Sequence, residues 1–165
     1  MADIQEILTM VSTRFESEVI SVDPSSDIPS IVVKSSSVYR IIEFLKNEKG
    51  AGFEFLTDLC GIHYPESELP LGVVYHLHNL AENKRIRIKT FLPLAKPEVA
   101  TITPLFSAAN WMERETYDFY GIIFTDHPNL KRILNVEYLD FFPMRKEYPL
   151  EDPTREDKDD RFFGR

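Results

Sequence analysis

The chain of 165 residues has one cysteine, Cys60. A lone thiol forms no internal disulfide, which fits a reducing compartment, and it falls short of the about four thiolates an iron–sulfur cluster wants. No apolar run approaches the ~20 residues that cross a bilayer as a helix. The opening Met-Ala-Asp-Ile-Gln-Glu lacks the basic and apolar regions of a signal peptide. A soluble or at most peripheral protein is therefore expected. Positive charge is also short: 19 Lys and Arg against 27 Asp and Glu leave a net charge of −8. That balance argues against a nucleic-acid partner, which requires Lys and Arg to displace phosphate counterions. Glycine is scarce as well, and Gly50-Ala-Gly52 is not followed by the Lys-Ser/Thr of a phosphate loop. What is present is an ordinary 43% of apolar residues in a chain long enough for one domain with a single core.

The order of elements is legible from periodicity. Ile4, Ile7, Leu8, Val11 and Phe15 recur at helical spacing, predicting a helix from about Asp3 to Glu18. Val19 to Val22 and Ile31 to Val33 read as strands on either side of a Pro/Ser/Asp turn. Val38, Ile41, Ile42 and Leu45 predict a second helix, with N-cap candidates in Ser35 to Ser37 and Gly50 as its stop. The segment from Phe53 to Tyr64 becomes strand-like towards its end, where Pro65 halts it. Gly72 to Leu80 and Lys84 to Leu92 then form a hairpin. If Val73, Tyr75 and Leu77 face inward, His76 and His78 point out with Arg85 and Arg87. Thr103-Pro104 looks like the start of a third helix that ends at Gly121. Leu105, Ala108, Ala109, Met112, Thr116 and Phe119 would line its inner face, and Asn110, Glu113, Arg114 and Tyr117 its outer one. The fold class is thus α+β: a two-layer domain with helices on a mixed β-sheet over residues 1–121, then a motif-bearing loop region and an irregular C-terminal extension over 122–165.

Candidate chemistry is sparse. His76 and His78 could share a metal, but spacing signals no third ligand and the neighbouring strand is cationic. They read better as two surface histidines beside a hairpin. His127 could serve as a general base, yet no orienting partner is marked; a loop histidine donating structural hydrogen bonds is the plainer interpretation. Cys60 sits among Leu59, Gly61 and Ile62 as a small hydrophobe. Glu113-Arg114-Glu115 differs in kind. Successive helical positions fan out by about 100°, so Glu115 falls beside the apolar stripe and calls for a partner such as Arg132 or Arg145. Leu139, Phe141, Phe142, Met144, Tyr148 and Leu150, interleaved with proline and charge, form too little regular structure to bury themselves. Such aromatic-rich surface with arginine suits a protein–protein interface. The segment from Glu151 to Arg165, with six acids and four bases, is expected to order only on a partner.

The densest stretch reads W-x-E-R-E-x-Y-D-F-Y-G-I-x-F-x-x-H-P-x-L-x-R-I-L from Trp111, followed by P-x-R-K-x-Y-P-L from Pro143. It resembles the signature of the C subunit of respiratory NADH–quinone oxidoreductase, the thirty-kilodalton subunit family of complex I. The segment L-T-D-L-C-G-I-H-Y-P extends the likeness upstream, with His63 where the family has an aspartate. The resemblance implies a non-catalytic structural or assembly subunit of the peripheral arm that carries no cofactor of its own; FMN and the iron–sulfur clusters belong to partner subunits. It implies a place against the quinone-site D subunit, near the cluster-bearing B and I subunits, on the cytoplasmic side of the bacterial inner membrane, reached only through the complex. The complex would couple NADH oxidation and quinone reduction to proton translocation. Trp111, Glu113, Arg114, Glu115, Tyr117, Asp118, Gly121, His127, Pro128, Arg132, Arg145, Lys146, Tyr148 and Pro149 match the motif and would be structural and interface residues. Two other readings stand beside it: the equivalent subunit of a membrane-bound hydrogenase or ferredoxin-linked complex, and a free-standing metal or acid/base enzyme using His76, His78 or His127.

Overall fold

The computed structural model describes residues 3–25 and 27–148. Pro149, Leu150 and the charged tail of residues 151–165 lie outside them. Helix α1 (Ile4–Arg14) opens with a capping box between Asp3 and Glu6 and buries Ile7, Leu8 and Val11. It stops short of the expected Glu18 because the Phe15 carbonyl takes the N–H groups of Glu18 and Val19, turning the chain into β1 (Val19–Asp23). After β2 (Ser30–Val33), Ser35–Ser37 form a 3₁₀ turn rather than a cap: the Ser37 hydroxyl donates backwards to the Lys34 carbonyl. Helix α2 (Val38–Asn47) buries Val38, Ile41, Ile42 and Leu45 at the expected spacing. It is closed by Glu48, whose N–H bonds the Phe44 carbonyl; Gly50, at φ 91°, shapes the turn beyond.

Strands β3 (Phe55–His63), β4 (Leu71–Asn79) and β5 (Lys84–Leu92) complete a five-stranded sheet ordered β1-β2-β5-β4-β3. It is mixed, since β2 runs parallel to β5 and the other neighbours are antiparallel. Val73, Tyr75 and Leu77 stand opposite Thr90, Ile88 and Ile86 and join the α1 and α2 side chains in one core. His76 does face Arg87, which donates from Nε to the histidine Nε2 at 2.8 Å. His78 is a correction: it is only 9% exposed, with Nε2 3.2 Å from Asn83 Oδ1, because the hairpin turn folds back over it.

Two elements had no periodicity long enough to read. The three-residue strands β6 (Glu98–Ala100) and β7 (Ile123–Thr125) pair in parallel. Helix α3 spans Ala109–Tyr120, beginning well after the expected Thr103-Pro104. Residues 103–108 instead coil through turns in which the Ile102 carbonyl accepts from Leu105 and Phe106. The helix packs against edge strand β3, and Gly61 makes that approach possible: a Cβ there would lie 2.4 Å from Cδ2 of Tyr120. Its end is as expected, with Gly121 at φ 72° donating its N–H to the Tyr117 carbonyl at 2.8 Å. Ile122 and Phe124, just beyond, belong to the same core.

Candidate functional site: helix α3 and the segment folded on it

The polar side of α3 is inward. Glu113, Arg114 and Asp118 are buried, whereas Glu115, expected to need a buried partner, is exposed. The reason is the chain after β7, which folds back over the helix face that a lone helix would leave wet.

Glu113 grips the segment before the helix. Its Oε1 accepts the Ile102 N–H at 2.8 Å and its Oε2 accepts the Thr101 hydroxyl. Burial pushes its carboxyl up from 4.5 to about 7, although both hydrogen bonds pull the other way. His127 Nε2 lies 3.9 Å away and donates to the Asn110 carbonyl, while Nδ1 accepts the Asn129 N–H at 3.0 Å. Both ring nitrogens are thereby occupied. Burial, then the nearby Arg114 charge, lower the affinity of His127 for a second proton. It is a structural histidine in geometry.

Asp118 grips the segment after the helix. Oδ2 accepts the N–H groups of Ile133, Leu134 and Asn135 at 2.8–3.0 Å, and Oδ1 accepts from Arg132 at 2.8 Å and the Asn135 side chain at 3.1 Å. Burial alone would raise this carboxyl, but the Asn135 and Leu134 amides, the Arg132 guanidinium and the Ile133 amide outweigh it and hold it well below the usual carboxylate range. Arg132 also donates to the carbonyls of Leu139 and Phe141. The partner foreseen for Glu115 is therefore taken by Asp118. Arg114 donates to the carbonyls of Lys131 and Arg132, and its guanidinium lies 5.2 Å from the ring centre of Trp111, itself exposed.

The last of the described residues, 142–148, are tied down through Phe142 and His63. Phe142 has the guanidinium carbons of Arg132 and Arg145 at 5.1 and 4.7 Å from its ring centre and meets Tyr117 edge-on. It lies against Gly121, where a Cβ would come within 2.5 Å of the ring. Arg145 donates from Nε to the Tyr120 carbonyl at 2.8 Å. His63 Nδ1 accepts the Lys146 N–H at 3.0 Å, so the imidazole provides the acceptor that an aspartate would, and the Lys146 ammonium sits over Tyr64. Tyr148 stacks on Phe141 and Pro128 stays exposed.

Among the described residues no three His, Cys, Asp or Glu side chains converge to hold a metal ion. His76 Nε2 accepts from Arg87 and its Nδ1 lies 3.7 Å from Asp58. Cys60 lines an open cleft of about 380 Å³ with Asp58, Glu115, Tyr120 and Met144; burial and then Asp58 raise its thiol away from the reactive thiolate. No described helix is long and apolar enough to cross a membrane.

The family model for the respiratory-chain NADH dehydrogenase 30 Kd subunit matches residues 31–154. The chain belongs to this family. A relative from Methylobacterium sp. (strain 4-46), the C subunit of its NADH-quinone oxidoreductase, is 44% identical over 121 residues, covering 73% of this chain and 56% of its own. The chain spans little more than half the length of most curated relatives it matches. Among solved structures, a trypsin-resistant fragment of Nqo5 aligns with TM-score 0.63 at 27% identity, over 77% of this chain and 98% of the fragment. A chain of the membrane-bound sulfane sulfur reductase, an archaeal respiratory membrane complex, aligns with TM-score 0.73 over 88% of this chain and 85% of that one. At 18% identity that likeness concerns the fold alone.

Within the family signature, the structure brings Glu113, Arg114, Asp118, Gly121, Arg132 and Arg145 together around α3. Thr101, Gly61 and the amides of residues 133–135 complete the set without having been singled out. A glycine inside a strand run, as at Gly61, is a signal of close approach. Nothing in the sequence around Thr101 marks it.

Proposed function

We propose that the chain is a non-catalytic structural subunit of an NADH–quinone oxidoreductase, set in the peripheral arm on the cytoplasmic side of a bacterial membrane. There it braces the quinone-site D subunit and neighbours the cluster-bearing B and I subunits. FMN and iron–sulfur clusters reside in partners, and electron transfer from NADH to quinone with proton translocation is the work of the whole assembly. The observation that carries this is the disposition of the family motif. Its charged side chains are engaged in holding one segment of the chain onto another, rather than converging on a pocket where a substrate would sit. An acid/base enzyme built on His127 would need a ring nitrogen left for substrate, and both of its nitrogens are engaged. The test is mass spectrometry of proteins that co-purify with a tagged, natively expressed copy from solubilised membranes. The quinone-site and cluster-bearing subunits, together with the NADH-binding ones, are the expected result. Hydrogenase subunits would preserve the architectural role and replace the electron donor. A lone chain would overturn the reading.

A further inference from the structure

The loop after β7 is held at both ends by one ion pair. Asp118 takes the N–H groups of residues 133–135, and its partner Arg132 donates to the carbonyls of Leu139 and Phe141. Between these anchor points the Leu139 N–H closes a turn on the Val136 carbonyl. The main chain here is thus fixed from beneath, yet three apolar side chains face outward: Leu134 is 67% exposed, Val136 48% and Tyr138 87%. A loop with only its own domain to satisfy gains nothing from displaying three such groups within five residues on a braced frame. Rigid display does lower the ordering penalty of association, and an exposed tyrosine is a residue type enriched at the hot spots of interfaces.

We infer that residues 134–138 are a preorganised anchor that seats in an apolar pocket of another protein subunit, with basic charge on the rim of that pocket. The inference rests on the subunit reading above and names its contact. Glu137 is exposed between Val136 and Tyr138, and exposed Asp140 follows, in a chain of net charge −8. Those carboxylates complement a basic rim and oppose docking onto an anionic lipid surface.

The test places a photoreactive benzoylphenylalanine at Tyr138 of the full-length tagged chain, expressed natively and irradiated in intact membranes. The expected result is one adduct, with a single subunit that also co-purifies with the unsubstituted chain. In parallel, the variant carrying Leu134→Ser, Val136→Ser and Tyr138→Ser should co-purify with its partners at least about tenfold less, with an unchanged urea midpoint as an isolated chain. An adduct to lipid or to a second copy, or no adduct at all, overturns the inference. So does wild-type co-purification of the triple variant. If the unsubstituted chain brings down no subunits, the subunit reading falls and the anchor falls with it.

Discussion

Replacing Glu113 by glutamine should make the protein more stable at alkaline pH and leave it nearly unchanged in mild acid. Glu113 is fully enclosed, and burial raises its carboxyl from 4.5 to about 7. Between those two values the folded chain holds a proton that the unfolded chain has released. The contribution of this group to stability is therefore fully present below about pH 4.5 and is lost as pH rises through about 7. At ~1.36 kcal/mol per pKa unit, the full loss approaches about 3 kcal/mol by pH 8. His127, 3.9 Å away, is a poor counter-charge, since burial lowers its affinity for a second proton. Glutamine keeps both contacts, its oxygen accepting the Ile102 N–H and its nitrogen donating to the Thr101 hydroxyl, but it cannot ionise. Urea titrations of both proteins at a series of pH values should show a difference that grows by about 2–3 kcal/mol in favour of Glu113→Gln between pH 5 and pH 8. Subtracting one curve from the other cancels every other titrating group. A difference that stays constant across that range would refute the argument, as would a variant that loses stability with rising pH as steeply as the parent.

Removing Asp118 should be severe: Asp118→Asn turns an amide towards three backbone donors and strands Arg132, costing about 3–5 kcal/mol in urea unfolding. A loss under about 1 kcal/mol would show that the pair does not hold the loop. Because the Asp118 carboxyl is lowered, its contribution is present above pH 3.8 and disappears on acidification below that value, which acid titration of the variant against the parent should resolve. Gly61→Ala should cost about 1–3 kcal/mol by forcing the Tyr120 ring off β3, and Tyr120→Ala in the same background should recover part of it in a double-mutant cycle. Arg114→Ala and Arg145→Ala should each lower the stability of the isolated chain by about 2 kcal/mol, since both donate to carbonyls of their own chain; unchanged melting would show that these bonds do not hold the fold.

The scaffold was legible because its cues are local and repeated. The α2 stripe, the β4–β5 hairpin and the Gly121 stop each follow from period or backbone preference within a dozen residues. The errors share one cause. Whether a side chain on α3 faces water depends on segments that have no periodicity of their own, one 11 to 12 residues before Glu113 and one 17 to 18 residues after Arg114, so Glu113 and Arg114 looked exposed and Glu115 looked needy. The third helix began late for a related reason. Thr103-Pro104 is locally a good start, but Ile102 and Thr101 are claimed by Glu113, which pins that stretch as turns. Short strands β6 and β7 carry too few residues for alternation to register. Partner choice among the motif charges is a three-dimensional fact that spacing along a chain does not encode.

Helix α3 acts as a splint. One carboxylate fastens it to the strand-and-turn region upstream, and another, a turn and a half later, fastens it to the loop downstream. Peeling the upstream segment away would leave Glu113 without its donors, and peeling the downstream one would leave Asp118 without its donors and Arg114 without its acceptors. Fraying of the extension is therefore not a free local event, as it would be for an ordinary surface loop. In hydrogen-exchange terms, the amides of residues 133–135 should open together with those of α3, at a single rate. The surface that the extension displays would then have the lifetime of the domain itself, and a neighbour docking there would meet a finished shape.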